Sequence, residues 1–122
     1  MKCLVLLSQN EAKIRLHSFS WVPDLLHQKD NYFLTPVEKL PEKIELIANC
    51  PEVVYNQGES CSCTANTIGE SIEYILIKGK KEVSAPSRLF IYYTERGMEG
   101  TIHEDAGAMI RDGIKSVNKE GA

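Results

Sequence analysis

The chain has 122 residues, of which 43% are hydrophobic and 25% are charged, and its formal net charge is −3. This length suits one compact domain with one small core. Because no basic surplus is present, we expect no nucleic-acid partner. We also expect no membrane partner, since no apolar run approaches the roughly 20 residues that a membrane span needs.

The first eight residues, MKCLVLLS, predict a short strand. The apolar run from Cys3 to Leu7 is shorter than the core of a signal peptide, which needs about 7 to 15 apolar residues and a small-residue cleavage site. We therefore expect no signal peptide and a cytoplasmic chain.

Proline is frequent in the N-terminal half of the chain. Residues 1–54 contain four of the five prolines, and each disfavours helix in the residue before it. The short apolar pieces between them, such as SFSWVPDLL and KIELIANC, would lie along another surface as strand or coil. The pattern predicts an extended N-terminal arm, either permanent or propeptide-like.

The spacing of the four cysteines indicates that they are reduced and not joined in disulfides. Cys61 and Cys63 are too close to pair without strain, which leaves Cys3 and Cys50 as the easy partners of a disulfide. Without a signal peptide, free thiols are the better expectation. The one-residue gap between Cys61 and Cys63 also falls short of the Cys-x2–4-Cys spacing of zinc sites, so we predict no metal.

A helical period begins at Cys63. The pattern predicts a buried helix over residues 63–78, with Ser62 as N-cap, Lys78 in the last turn and Gly79 at the C-terminal end. The apolar positions three or four apart are Ala65, Ile68, Ile72, Ile75 and Leu76.

Two further helices are predicted. Ser87 would cap the second, with an apolar stripe of Leu89, Phe90 and Tyr93, and Gly97 would end it.

The third predicted helix is glycine-rich. It would be capped by Asp105 and stopped by Gly121. Gly107 and Gly113 each cost about 1 kcal/mol relative to alanine in a helix, which indicates close approach of backbone or ligand. The predicted inward face is Ala106, Met109, Ile110, Ile114 and Val117.

Cys63 has the setting of an activated thiol. At a helix N-terminus, free N–H groups and the helix dipole stabilise a thiolate and lower the pKa of the cysteine. Gln57 can return across the Gly58–Ser62 turn, and its amide together with the Cys63 N–H would form an oxyanion hole. The simpler interpretation of Cys63 is a small buried hydrophobic residue.

Four segments resemble papain-like cysteine peptidases of family C1. PEVVYNQGESCSCTAN is similar to their active-site segment, although Cys61 stands where the family pattern has glycine. The closer resemblance is to a microbial and viral branch with Ser-Cys-Thr-Ala-Asn. Its other segments match here at Trp21–Asp24, Ser87–Arg96 and Gly107–Lys115.

The resemblance implies a fold, an activity and a site. The fold would be α+β, of the papain-like cysteine proteinase type, with residues 1–54 as the arm and residues 55–122 as the helical left-hand domain. Cys63 would be the nucleophile that hydrolyses a peptide or protein substrate through a thioacyl intermediate, without a cofactor. Gln57 would stabilise the oxyanion, and the backbone of Gly107 would pair with the extended substrate.

The family also needs a histidine and an asparagine, about 130 to 150 residues after the cysteine. The histidines here are His17, His27 and His103, and none falls at that position. We therefore expect this chain, without the right-hand β domain, to be inactive alone, and its exposed apolar face to self-associate or bind a complementary chain. The missing groups would come from a second chain or a C-terminal domain. The alternative is a non-catalytic peptidase domain that binds peptides or proteins.

Overall fold

The computed structural model describes residues 2–3, 17–18, 21–30 and 41–122. Three helices dominate these residues: α1 (Cys63–Lys78), α2 (Arg88–Glu99) and α3 (Ile110–Glu120). A two-residue strand β1 (Lys2–Cys3) pairs antiparallel with β2 (His17–Ser18), and a 3-10 turn spans Ile47–Asn49. The rest of the strand predicted near the N terminus, residues 4–7, lies outside the described residues. No helix in these ranges has the length and apolarity needed to cross a membrane.

Helix α1 has the predicted bounds. Lys78 occupies its last turn, and Gly79 follows as the C-cap. Ser62 is the N-cap by position, but its side chain does not bond to a free N–H of the first turn. The Ser62 hydroxyl instead lies 2.6 Å from the Ser60 hydroxyl, so it belongs to the preceding turn.

Helix α2 begins as predicted and ends later. The Ser87 hydroxyl accepts a hydrogen bond from the Phe90 N–H at 3.4 Å. The prediction that Gly97 ends the helix is wrong, because Gly97 lies inside it and Gly100 is the left-handed cap with φ of 75°. A glycine adopts this φ without steric cost, so the chain turns there.

The predicted buried face of α2 is wrong as well. The predicted stripe is largely exposed, whereas the buried residues are Ile91, Tyr92 and Glu95. The apolar pattern did not include Glu95, because charged residues are rarely fully buried. In the structure its carboxyl is fully buried and accepts a hydrogen bond from a threonine, and the inward face rotates accordingly.

Helix α3 begins at Ile110, with Met109 as its N-cap, so the predicted cap at Asp105 is wrong. Asp105 precedes the helix by five residues and bonds to the Cys61 backbone instead. The predicted end at Gly121 is confirmed. On this helix Gly113 and Ser116 are buried, while Ile114, which we expected to face inward, is 56% exposed.

The core lies between the three helices. Ala65 and Ile68 of α1 pack against Ile91 and Tyr92 of α2. The partly buried residues around this cluster are Cys61, Ile72 and Val117. Because Cys61 packs on the cluster, the core directly supports the turn that precedes Cys63.

Residues 21–30 lie against the start of α3. The Val22 N–H donates to the Ala108 carbonyl at 3.2 Å, and the Asp24 carboxylate accepts from the Arg111 N–H at 3.0 Å. The Arg111 guanidinium also forms an ion pair with Asp30 at 3.0 Å. Asp24 therefore caps α3 across 87 positions of sequence. Whether residues 1–54 form a separate unit from residues 55–122 stays a prediction.

Replacing Asp24 with alanine should destabilise the chain by about 1 kcal/mol, because a helix N-terminus loses its side-chain acceptor. Urea unfolding followed by circular dichroism would measure the loss. Asp30→Ala is the comparison variant, since it removes an exposed ion pair worth at most about 1 kcal/mol and an exposed bond from the His27 N–H, but leaves the α3 cap in place. Equal stability of Asp24→Ala and the parent chain would contradict the capping role.

Candidate active site

Cys63 is the first residue of α1 and is half-buried. Burial raises the pKa of its thiol above the ordinary value, and the Thr64 and Cys63 backbone N–H groups only partly oppose this effect. Cys61 and Glu95 raise the pKa slightly further. The prediction of an acidic thiol is therefore wrong for this chain, because desolvation outweighs the helix terminus. No histidine is among the groups that shift this thiol in the described part of the chain.

The nucleophile turn, residues 57–62, is closed by the Gln57 side chain, which bonds within the turn; a bond from its amide near the Cys63 sulfur stays a prediction. The Gln57 Nε2 donates to the Ser60 carbonyl at 2.8 Å, and the Ser60 hydroxyl donates to the Gln57 carbonyl at 3.0 Å. Gly58 has φ of 64°, which permits the reversal. An amide nitrogen carries two hydrogens, and the bond to Ser60 uses one of them. The role of Gln57 in an oxyanion hole stays a prediction.

A polar network supports the other side of this turn. The Asn66 Nδ2 donates to the Ser62 carbonyl at 2.7 Å and to its hydroxyl at 3.0 Å. The Arg88 guanidinium donates to the Asn66 Oδ1 at 2.7 Å and stacks 3.9 Å from the centre of the Tyr55 ring. Sequence reasoning missed Asn66 and Arg88. The position of Asn66 one helical turn after Ser62 was an available signal.

Asp105 also holds the turn, through the backbone of Cys61. Its carboxylate accepts from the Cys61 N–H at 3.0 and 3.1 Å, and the Tyr92 hydroxyl also donates to it. The Tyr92 hydroxyl, followed by the Cys61 contacts, lowers the pKa of Asp105. Burial, followed by the bond to Asp105, raises the pKa of Tyr92. Sequence reasoning gave neither residue this role.

Gly107 lies in the glycine segment, residues 106–109, and not at the start of α3 as expected. It is buried, has φ of 79°, and its N–H donates to the Tyr92 hydroxyl at 3.4 Å. This N–H therefore faces the interior. Pairing of the Gly107 backbone with a substrate stays a prediction.

The Glu95 side chain contacts the first turn of α1. Its Oε1 accepts from the Thr64 hydroxyl at 2.6 Å, and the residue is fully buried. Burial raises the pKa of this carboxyl to about 7. Sequence reasoning missed this group too, because an isolated glutamate in a helix usually faces solvent.

Two histidines are described fully enough to place. His27 is exposed in the segment 21–30, and His103 is exposed in the turn between α2 and the glycine segment. The side chain of His17 lies outside the described residues. Over the same ranges no group of three or more His, Cys, Asp or Glu side chains is arranged to hold a metal ion.

The chain is similar in sequence to one known protein and in structure to another. The chain is 51% identical over 67 residues to the uncharacterized peptidase C1-like protein L477 of Acanthamoeba polyphaga mimivirus, a match that covers 54% of this chain and 22% of that protein. The structure is similar to xylellain, a cysteine protease from Xylella fastidiosa, with a TM-score of 0.72 and 37% identity. No family model matches the chain.

The two matches confirm the resemblance to papain-like peptidases of family C1. The structural match covers 94% of this chain and 42% of the xylellain chain, so the described helices adopt part of the papain-like cysteine protease fold. The chain spans less than half the length of either relative.

Proposed function

We propose that this chain is the nucleophile-bearing part of a papain-like cysteine peptidase, comprising an N-terminal arm (1–54) and the helical left-hand domain (55–122). The observation that carries the proposal is the place of Cys63. It begins a 16-residue helix directly after a turn closed by Gln57, in a chain 37% identical to a cysteine protease. The reaction is hydrolysis of peptide bonds in a peptide or protein substrate.

The site provides two parts of the required chemistry. Cys63 attacks the substrate carbonyl and expels the amine, which leaves a thioacyl enzyme that water then hydrolyses. The remaining N–H of the Gln57 amide and the backbone N–H of Cys63 stabilise the oxyanion that forms in each step. Because the Gly107 N–H donates to Tyr92, pairing with an extended substrate would fall to the Gly107 carbonyl.

The site needs a base from elsewhere. The raised pKa of the Cys63 thiol means that it is protonated at neutral pH in this chain. A histidine oriented by an asparagine, on a second chain or a C-terminal domain, would remove the proton and stabilise the thiolate as an ion pair. In the part of the chain that the structure describes, no disulfide joins Cys50, Cys61 or Cys63, and reduced cysteines favour the cytoplasm as the compartment.

A second candidate is a non-catalytic module that binds peptides or a protein partner. The raised pKa of Cys63 favours it, since that thiol reacts slowly until a partner charge is supplied. The apolar side chains of Leu89, Tyr93 and Ile114, each more than half exposed, would cover a complementary surface.

Hydrolysis of a fluorogenic protein substrate tests the proposal. We expect activity from the protein isolated from its native source, none from the 122-residue chain alone, and at least about a thousandfold loss in Cys63→Ala. Cys50→Ala is the matched control, because it removes an exposed thiol outside the nucleophile turn and should keep most of the activity. Undiminished hydrolysis by Cys63→Ala would refute the assignment. Peptide binding without hydrolysis by the native-source protein would favour the binding module.

A further inference from the structure

One carboxylate connects the nucleophile turn to a distant loop. Both oxygens of Asp105 lie within 3.1 Å of the Cys61 backbone nitrogen, 44 positions away in sequence. A hydrogen bond from a backbone N–H to an ionised carboxylate is stronger than one between neutral groups. Asp105 stays ionised at neutral pH because its hydrogen bonds lower its pKa. It therefore acts as a fixed anchor and not as a proton donor.

The same carboxylate is bound from α2. The Tyr92 hydroxyl donates to Asp105 and accepts from the Gly107 N–H at 3.4 Å. Only 4% of Tyr92 is exposed, and its ring belongs to the core cluster, so its hydroxyl has a fixed position. The nucleophile turn and the glycine segment are thus held by two adjacent side chains.

Arg96 holds the loop that carries Asp105. Its guanidinium stacks 3.9 Å from the centre of the Tyr92 ring. One of its nitrogens donates to the Glu104 carbonyl at 2.6 Å and to the Ile102 carbonyl at 3.4 Å. The loop is therefore attached to α2 on both sides of His103.

We propose that Asp105 and Tyr92 form a positioning pair, which sets the nucleophile turn relative to the glycine segment. The inference rests on the proposed function and adds two residues that do not touch the reacting atoms. Stabilisation of an oxyanion requires donors placed to within a fraction of an ångström. Asp105 holds the Cys61 N–H and Tyr92 holds the Gly107 N–H. Because these two side chains bond to each other, they keep the nucleophile at a fixed distance from the backbone that would pair with substrate.

Amide hydrogen exchange on the 122-residue chain tests the link without any catalysis. In Asp105→Ala the exchange of the Cys61 amide should accelerate at least tenfold, while exchange in the middle of α1 stays unchanged. Tyr92→Phe should accelerate exchange at both Cys61 and Gly107. Asp105→Asn should restore most of the protection at Cys61, since its amide oxygen still accepts. Glu104→Gln is the matched control, because it neutralises the preceding carboxylate, whose side chain makes no bond in the described residues.

Hydrolysis by the native-source protein tests the consequence. Asp105→Ala should lower kcat at least tenfold with a smaller change in KM, and Asp105→Asn should recover most of it. If Asp105→Ala and Tyr92→Phe match Glu104→Gln in both exchange and kcat, the positioning role is overturned. Failure of the proposed function would look different: Cys63→Ala would keep its activity, while the exchange at Cys61 and Gly107 would still respond to these variants.

Discussion

Replacing Gly113 with alanine should destabilise the chain by about 2 kcal/mol. A Cβ at this position would lie 2.4 Å from the Glu95 Oε2 and 2.4 Å from the Ile68 Cδ1. Both neighbours are buried, so neither can move into solvent. Overpacking of this kind costs about 1 to 3 kcal/mol or more, which exceeds the roughly 1 kcal/mol that alanine gains over glycine as a helix former.

Urea unfolding followed by circular dichroism would measure this effect. Gly97→Ala is the matched control, because Gly97 also lies inside a helix but a Cβ there would meet only the Ile102 side chain at 3.4 Å. We expect Gly97→Ala to be neutral or stabilising by up to about 1 kcal/mol. Stabilisation of Gly113→Ala to the same degree would contradict the close packing of α3 against α2.

The Glu95 carboxyl should make the chain less stable as pH rises. Its pKa is about 7 in the folded chain against an ordinary value of 4.5, so the folded state binds more protons between these values. The contribution to stability is complete below pH 4.5 and is lost as pH rises through 7. At 1.36 kcal/mol per pKa unit, the loss is on the order of 3 kcal/mol.

The surroundings of Glu95 explain why its pKa is raised. Burial is the main cause, and Glu99 and Asp112 raise its pKa further, whereas the Thr64 hydroxyl and Arg96 lower it. The Oε2 has no hydrogen-bond partner within the described residues, so the ionised form is incompletely solvated. Burial also raises the pKa of Glu99, which adds a loss of the same sign.

Glu95→Gln should therefore flatten the dependence of stability on pH. We expect the variant to be more stable than the parent by about 1 to 2 kcal/mol at pH 8 and equal or slightly less stable at pH 5, since glutamine keeps an acceptor for Thr64 but adds an N–H that needs a partner. Urea unfolding at pH 5, 6, 7 and 8 would measure both, with Glu104→Gln as the exposed control. A parent slope that survives unchanged in Glu95→Gln would rule out this carboxyl as its source.

Local patterns in the sequence predicted much of the helical frame. The bounds of α1, the cap at Ser87 and the stop at Gly121 follow from apolar spacing and from residues with strong terminal preferences. The Cys63 position and the return of Gln57 across the turn were predicted for the same reason, since both depend on neighbours within a few residues.

Local patterns were therefore enough to predict three helices, a cysteine at the start of the first and a resemblance to papain-like peptidases. The buried faces of the helices and the surroundings of the cysteine depend on contacts between distant segments. Burial of Glu95 gives α2 a different inward face from the predicted one. Asp105 lies outside α3 and accepts from the Cys61 N–H, and Asp24 caps α3 from 87 positions away in sequence. Burial and hydrogen bonds between distant segments outweigh local helix preference, and such contacts produce no periodic pattern in the sequence.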